Sequence, residues 1–421
     1  MRGDKKIPVI LFGDYIAAYG VIRALGPLNI PIYLVSSHSR QNLCRYSRYV
    51  KENVVIPTEE NDAFLESIIQ WGKTIVGEEA VLIIAGSDEP LDILPSLIQE
   101  LPLGWKPTFP DVETVQKVRE KERTYKIAEN IGIPVPRTFC IKQNEDFQKF
   151  KEEIENWVFP VLVKAEDSKK FLEQYKTKGV LFENRSELEG IDNFFSIHPN
   201  YQGAFLLQEF IPGPEKNLWN YIGVFDGSSI PISFFLNRKI RSSAQFLSCT
   251  LMESFYSETV VVYSNSLIKE IGYLGYANME YKLDPRDGSL RLMEINGRVS
   301  MSNSHALRCG INLPFAMYQN ALGEAHNHFE AKQTEVYSKK ILWWFPLGEL
   351  NFVVTSLLKK DLSIANYFKE LKGDGYIIEP FSLGDPVPGI YHVLRTFAGL
   401  IMKVIRKLWR NSERKKLPEF L

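Results

Sequence analysis

The stretch from Ala277 to Arg298 constrains the fold of this chain more than any other segment. It reads Ala-Asn-Met-Glu-Tyr-Lys-Leu, then Asp284-Pro285-Arg286-Asp287-Gly288, then Ser-Leu-Arg-Leu-Met-Glu-Ile-Asn-Gly-Arg. Two strand-forming runs around an Asp-Gly turn predict an antiparallel hairpin. Side chains alternate faces along a strand. Glu280 on the first strand and Glu294 with Asn296 on the second are therefore expected to point into one site, with Met293 and Ile295 pointing into the core. Two carboxylates and an amide oxygen, with Arg298 close behind and no cysteine or histidine nearby, suit a hard octahedral cation that keeps waters and phosphate oxygens. Magnesium with a nucleotide is the natural occupant, manganese the alternative. The same residues also fit a polar hairpin with a solvated face.

At 421 residues the chain has room for two or three domains, and 45% hydrophobic with 12% aromatic residues fits a folded protein. A net charge of -1 gives no general attraction to nucleic acid. Met1 to Lys6 leads directly into a short apolar run without a signal-type cleavage site, and no uninterrupted apolar stretch is long enough to span a bilayer. The expected location is the cytoplasm. Cys44, Cys140, Cys249 and Cys309 lie far apart and read as reduced thiols; His326 and His328 read as a surface loop.

Apolar runs at 8–13, 30–35 and 81–85 predict buried parallel strands and a βαβ domain over residues 1–115. Gly13 to Gly20 lacks the second glycine of a dinucleotide fingerprint, so it reads as a tight strand-to-helix turn without NAD. Asp88, after the third strand, suits either a substrate contact or a helix cap. Val115 to Asn130 reads as one charged helix, and Ile133-Pro-Val-Pro136 marks a boundary. In Phe159-Pro-Val-Leu-Val-Lys164 an ammonium follows a buried strand, which is costly unless it meets an anion such as phosphate.

Taken in order, Lys121-Glu-Arg, Gly132-Ile-Pro-Val-Pro136, Phe159 to Lys164, Leu206-Leu-Gln-Glu-Phe-Ile-Pro-Gly-Pro-Glu215 and Glu294-Ile-Asn-Gly-Arg298 resemble the ATP-grasp ligases over roughly residues 5–325. The resemblance is to the branch containing D-aspartate ligases. It implies a mixed α/β and α+β fold: an N-terminal parallel βαβ (pre-ATP-grasp) domain at 1–115, a first lobe with a lid at 116–210, a second lobe with the metal hairpin at 211–330, and a small C-terminal extension at 331–421. It further implies that Lys121 and Lys164 reach nucleotide phosphates. Gln208, Glu209, Phe210 and Ile211 would form the adenine hinge, and Glu215 would accept the ribose hydroxyls. Arg238 and Arg241 would lie near the reacting phosphoryl group or donor carboxylate, and Arg298 would clamp the groups in line. The family more often has aspartate where Glu120 stands. The lid region, Glu166 to Val180, is rich in lysine and has only Gly179, so Lys176 or Lys178 would supply counter-charges in place of a nest of backbone amides. Glu253-Ser254, Asn303 and His305 fall in segments that also match, with packing as the rival role for the last two.

The implied reaction joins a small carboxylate, an amino acid or similar acid, to an amine through an acyl phosphate, with ATP and Mg2+. The amine is one on a cell-wall or surface-polymer precursor. Bicarbonate activation, a non-catalytic ATP sensor or scaffold, and an NAD-dependent oxidoreductase are the rival readings. Residues 392–416 form a basic amphipathic helix, expected to pack on the body or a second subunit as a homodimer, or to lie on an anionic membrane surface.

Overall fold

The computed structural model describes residues 6–36, 42–56, 61–86, 88–142, 150, 157–165, 179–189, 204–243, 249–324, 336–359 and 363–414. Short apolar segments build a parallel sheet from β1 (Val9–Phe12), β2 (Ile32–Ser36), β3 (Val50–Val55), β4 (Ala80–Ile84) and β5 (Trp105–Pro107), in the order β3-β2-β1-β4-β5. Every residue of β1 and β4 is buried, which is why they read as continuous apolar runs. The chain leaves β1 through Gly13 at φ +140, where a Cβ would sit 2.1 Å from the Ala85 carbonyl oxygen. Only glycine fits that turn into the helix Ile16–Leu25.

A four-stranded antiparallel sheet follows, with β6 (Thr138–Ile141), β7 (Val161–Ala165), β8 (Gly179–Phe182) and β9 (Phe205–Glu209) in the order β6-β9-β7-β8. The largest sheet contains β10 (Leu218–Phe225), β11 (Pro231–Ser242), β12 (Cys249–Ser254), β13 (Gly275–Leu283), β14 (Leu290–Asn296), β15 (Ile341–Trp344) and β16 (Gly375–Ile378). Its order is β14-β13-β10-β11-β12-β15-β16, antiparallel except for the β15–β16 pair. One face places Ile222, Phe235 and Trp343 in a core shared with the N-terminal domain. The other buries Tyr221, Phe234, Met279 and Tyr281 against the helix Glu258–Ile271, which is capped by Ser257 and ends at Gly272 with φ +76. Burial of each such large side chain contributes about 2 kcal/mol.

Three features differ from the sequence reading. The charged helix is two helices, Val112–Arg119 and Lys121–Asn130, because Glu120 is extended at φ -82 and ψ 104 between them. Among the described residues beyond 330, β15 pairs with β12 and β16 with β15, so that both extend the central sheet. Met293 does not point into the core, because the β13–β14 register shifts between Glu280 and Tyr281. Glu280 is opposite Glu294 and Tyr281 is opposite Leu292, so Met293 is the extra residue of a β-bulge and lines the cleft instead.

Candidate functional site

The hairpin carries its acids on one face. Glu280 and Glu294 are direct cross-strand partners, and the next pair on that face is Asn278 with Asn296. Like charges opposite one another repel. Here the repulsion is met by two ammonium groups, Lys239 at 2.9 Å from Glu280 and Lys121 at 3.7 Å from Glu294. Asn296 donates to Glu294 at 3.1 Å. Confinement pushes the Glu294 carboxyl up, but Lys121, the Asn296 hydrogen bond and Lys164 outweigh it and hold it down at about 2. The break at Glu120 makes Lys121 the first residue of its helix, at the end where the helix dipole adds further positive potential.

Across the cleft, Leu162 and Lys164 project from β7. Lys164 donates to the Gln208 side-chain oxygen at 2.7 Å, and the Gln208 amide donates to Thr138 at 2.9 Å and Tyr125 at 3.1 Å. Tyr125 in turn donates to the Met293 carbonyl at 2.7 Å, which ties the two sheets together. Burial, and then the neighbouring Lys121, pull the Lys164 ammonium down to about 7. Gln208 thus orients Lys164, and its polar atoms are all engaged.

Between the four-stranded sheet and the carboxylate face lies a cavity of about 490 Å3, in the range of small-molecule sites. Lys164, Gln208, Glu209, Phe210, Ile211, Glu215, Glu280, Glu294, Asn296 and Arg298 all line it. Glu215 accepts from Ser242 at 3.0 Å. The Glu209 carboxylate, however, is held by Arg286 at 2.8 Å and Arg291 at 3.8 Å from the hairpin turn, so it clamps β9 to the hairpin.

Arg298 donates to Asp88, whose carboxylate also meets Arg119 at 3.3 Å. Burial raises the Asp88 pKa, yet Arg298 and Arg119 bring it below its ordinary value. Asp88 makes no capping bond; it steers Arg298. Arg238 and Arg241 face away from the cleft. Arg238 pairs with Glu253 and lies over the Phe255 ring, while Arg241 is buried against Glu349 at 3.4 Å, Glu370 at 3.2 Å and the Tyr367 ring. The reason is strand geometry: alternation sends Arg238 behind, and a register shift between Lys239 and Arg241 sends Arg241 the same way. Asn303 and His305 are fully buried packing residues. Asn303 donates to the Ala17 carbonyl at 3.0 Å, and His305 contacts the Ile341 carbonyl at 3.0 Å, with burial lowering its pKa to about 4. Lys176 and Lys178 lie outside the described residues.

The sequence reading missed Lys239 and Lys282, which both line the cavity. Lys282 sits 5.1 Å from the centre of the Phe210 ring. Both positions follow from alternation with Glu280: Lys282 lies two residues along the same strand, and Asn237 and Lys239 continue the face through Asn220 on β10.

Among the described residues no cluster of three or more His, Cys, Asp and Glu side chains could hold a metal. The hairpin offers two carboxylates and amides, a set that fits a hard divalent cation with phosphate oxygens filling its shell. The buried Asn278 side-chain oxygen, on the same face, lacks a hydrogen-bond partner and adds to that fit.

Residues 243–328 match the family described as carbamoyl-phosphate synthase L chain, ATP binding domain. The chain is 23% identical to the D-aspartate ligase of Enterococcus faecium (strain Aus0004) over 321 residues, 74% of this chain and 76% of that protein. In fold it resembles the solved L-amino acid ligase of Bacillus licheniformis, with a TM-score of 0.55 and 15% identity over 78% of each chain. The biotin carboxylase domain of the Hydrogenobacter thermophilus 2-oxoglutarate carboxylase, solved with MgADP, ADP and bicarbonate, gives a TM-score of 0.59 at 18% identity over 78% of this chain and 72% of that one. The chain is thus similar to ATP-grasp proteins. The hairpin β13–β14, the segment after β9 and Lys164 on β7 surround a single cleft.

Proposed function

We propose that the protein is an ATP-dependent carboxylate-amine ligase acting on a small acid, an amino acid or close analogue. The observation that carries this reading is the pair of register-matched carboxylates, Glu280 and Glu294, lining one cleft with Lys164, Lys239 and Arg298, while Lys121 pairs with Glu294. Such a site complements a polyphosphate with its cation better than it complements a neutral substrate. Similarity to a D-aspartate ligase and an L-amino acid ligase supports an acid as the phosphoryl acceptor and an amine as the second substrate.

In this reading a substrate carboxylate oxygen attacks the γ-phosphorus of ATP, the bond to the bridging β-γ oxygen breaks, and ADP leaves. The amine nitrogen then attacks the carbonyl carbon of the acyl phosphate, the bond to the phosphate oxygen breaks, and the nitrogen loses a proton. No side chain serves as a covalent nucleophile. Lys164, oriented by Gln208, and Lys121 bind phosphate oxygens, and Arg298, steered by Asp88, stabilises charge on the group in transfer. Glu280, Glu294 and Asn296 would hold Mg2+, which offsets charge on the phosphates when bound. The hinge, Glu209 to Ile211, would take the adenine, and Glu215 the ribose. The amine is read as one on a larger acceptor such as a cell-wall or surface-polymer precursor, a choice supported by the basic C-terminal helix.

Hydroxylamine in place of the amine tests the intermediate. The account expects a hydroxamate formed in step with ADP when the correct acid is present. ADP release with no hydroxamate would sink the acyl phosphate, and hydroxamate-free turnover that needs bicarbonate would favour carboxylation.

A further inference from the structure

The helix Pro386–Arg414 carries the apolar side of its first turns outward. Its start docks on the N-terminal domain. The Asp385 carboxylate accepts from the Ser47 hydroxyl and the Arg48 amide, Tyr391 meets Tyr46 at 4.2 Å, and His392 is buried between Tyr15 and Phe345. The side used for docking carries Pro388, Gly389 and His392. Val387, Ile390, Leu394, Phe397 and Ile401 recur at alternating steps of three and four, and so share another side. They are 50%, 54%, 65%, 51% and 59% exposed. A helix that packs on its own body shows the reverse arrangement.

In the sequence the three-four spacing continues through Val404 and Leu408, with Lys403, Arg406 and Arg410 falling between those positions. From residue 386 to the end of the chain there are eight Lys and Arg against two Glu, in a protein whose net charge is -1. Val393 and Ala398 widen the apolar arc beyond the narrow two-position seam of a helix pair. A broad apolar arc beside a concentrated basic arc matches a surface that is oily below and anionic above. We propose that this helix docks the protein on an anionic lipid bilayer, lying in the interface with its stripe in the acyl boundary and its basic arc among the headgroup phosphates. At about 43 Å it is long enough to lie along the surface. Among the described residues no helix is long and apolar enough to cross a membrane, so the contact is peripheral.

Co-sedimentation of the full-length protein with vesicles tests this. Phosphatidylcholine vesicles containing phosphatidylglycerol are expected to bring down at least about tenfold more protein than phosphatidylcholine alone. The triple variant Leu394→Glu, Phe397→Glu, Ile401→Glu is expected to stay in the supernatant while melting at the wild-type temperature. Lys403→Glu with Arg406→Glu is expected to lose the preference for anionic lipid. The proposal is overturned by wild-type protein that does not sediment with anionic vesicles, or by a triple variant that still does. A fall in the melting temperature of the triple variant, showing that the stripe is packed, would also overturn it. So would a dimer in solution that dissociates in the triple variant without lipid binding, which would assign the stripe to a second copy of the chain.

Discussion

Lys164 is the residue whose chemistry depends most on whether the cleft is filled. In the free protein, burial and Lys121 lower its ammonium from the ordinary 10.5 to about 7. The folded value lies below the unfolded one, so the unfolded chain binds more protons between those limits and stability rises with pH across that window. A polyphosphate supplies the missing anion and raises the Lys164 pKa again. Nucleotide binding above neutral pH should therefore take up a proton, and affinity should fall as pH rises through about 7. Calorimetry in two buffers of different ionisation heat measures the uptake; its persistence in Lys164→Met would refute the assignment to this residue. A second prediction separates neighbours on β11. Lys239 contacts Glu280 whereas Arg238 is turned to Glu253, so Lys239→Ala should cut ADP release by about a hundredfold or more while Arg238→Ala leaves it within a few fold. Equal losses in the two variants would mean that Arg238 also serves the cleft. Attention fell on Arg238 and Arg241 because the family resemblance implied basic residues near the reacting group. Strand alternation, referred to the apolar Phe234 and Leu236 on the Arg238 face, pointed to Lys239, but the bulge after it could not be read from residue types.

At the scale of the element, the hairpin β13–β14 is fastened at its turn. Asp284 is fully buried and accepts from the Arg286 amide at 3.0 Å, from Arg286 Nε at 2.8 Å and from Arg291 Nε at 3.0 Å; both arginines then reach Glu209 on β9. Asp284→Ala leaves two guanidinium groups short of a partner and should destabilise the protein by about 3 kcal/mol in urea unfolding. An unchanged midpoint would show that the clamp is idle. The Arg286 hydrogen bonds hold the Asp284 carboxyl down at about 2 against an ordinary 3.8. Its folded value is depressed, so its contribution is complete above about 3.8 and is lost as pH falls from there towards 2. The hairpin itself was legible, since Asp-Gly turns and alternation are local signals. The facing of Met293 was not, because a bulge adds a residue without any distinctive composition.

At the scale of the whole molecule, the parallel sheet was readable, because buried parallel strands are continuous apolar runs. The strands β15 and β16 were not readable: four residues each, separated by two helices, they become strands only when β15 pairs with β12, far away in sequence, and β16 with β15. The contact between Arg298 and Asp88 was equally hidden, since it joins the hairpin lobe to the N-terminal sheet over 210 positions of the chain. The account at this scale is that both lobes and the N-terminal domain converge on one cleft to couple ATP cleavage to amide formation. Its most direct measurement is magnesium-dependent ADP release by the purified protein, screened against pooled carboxylates with pooled amines, beside Glu294→Gln. The account predicts release that needs the cation, an acid and an amine together and falls at least about a hundredfold in the variant. ADP release indifferent to the acid, or unaltered by Glu294→Gln, would contradict it.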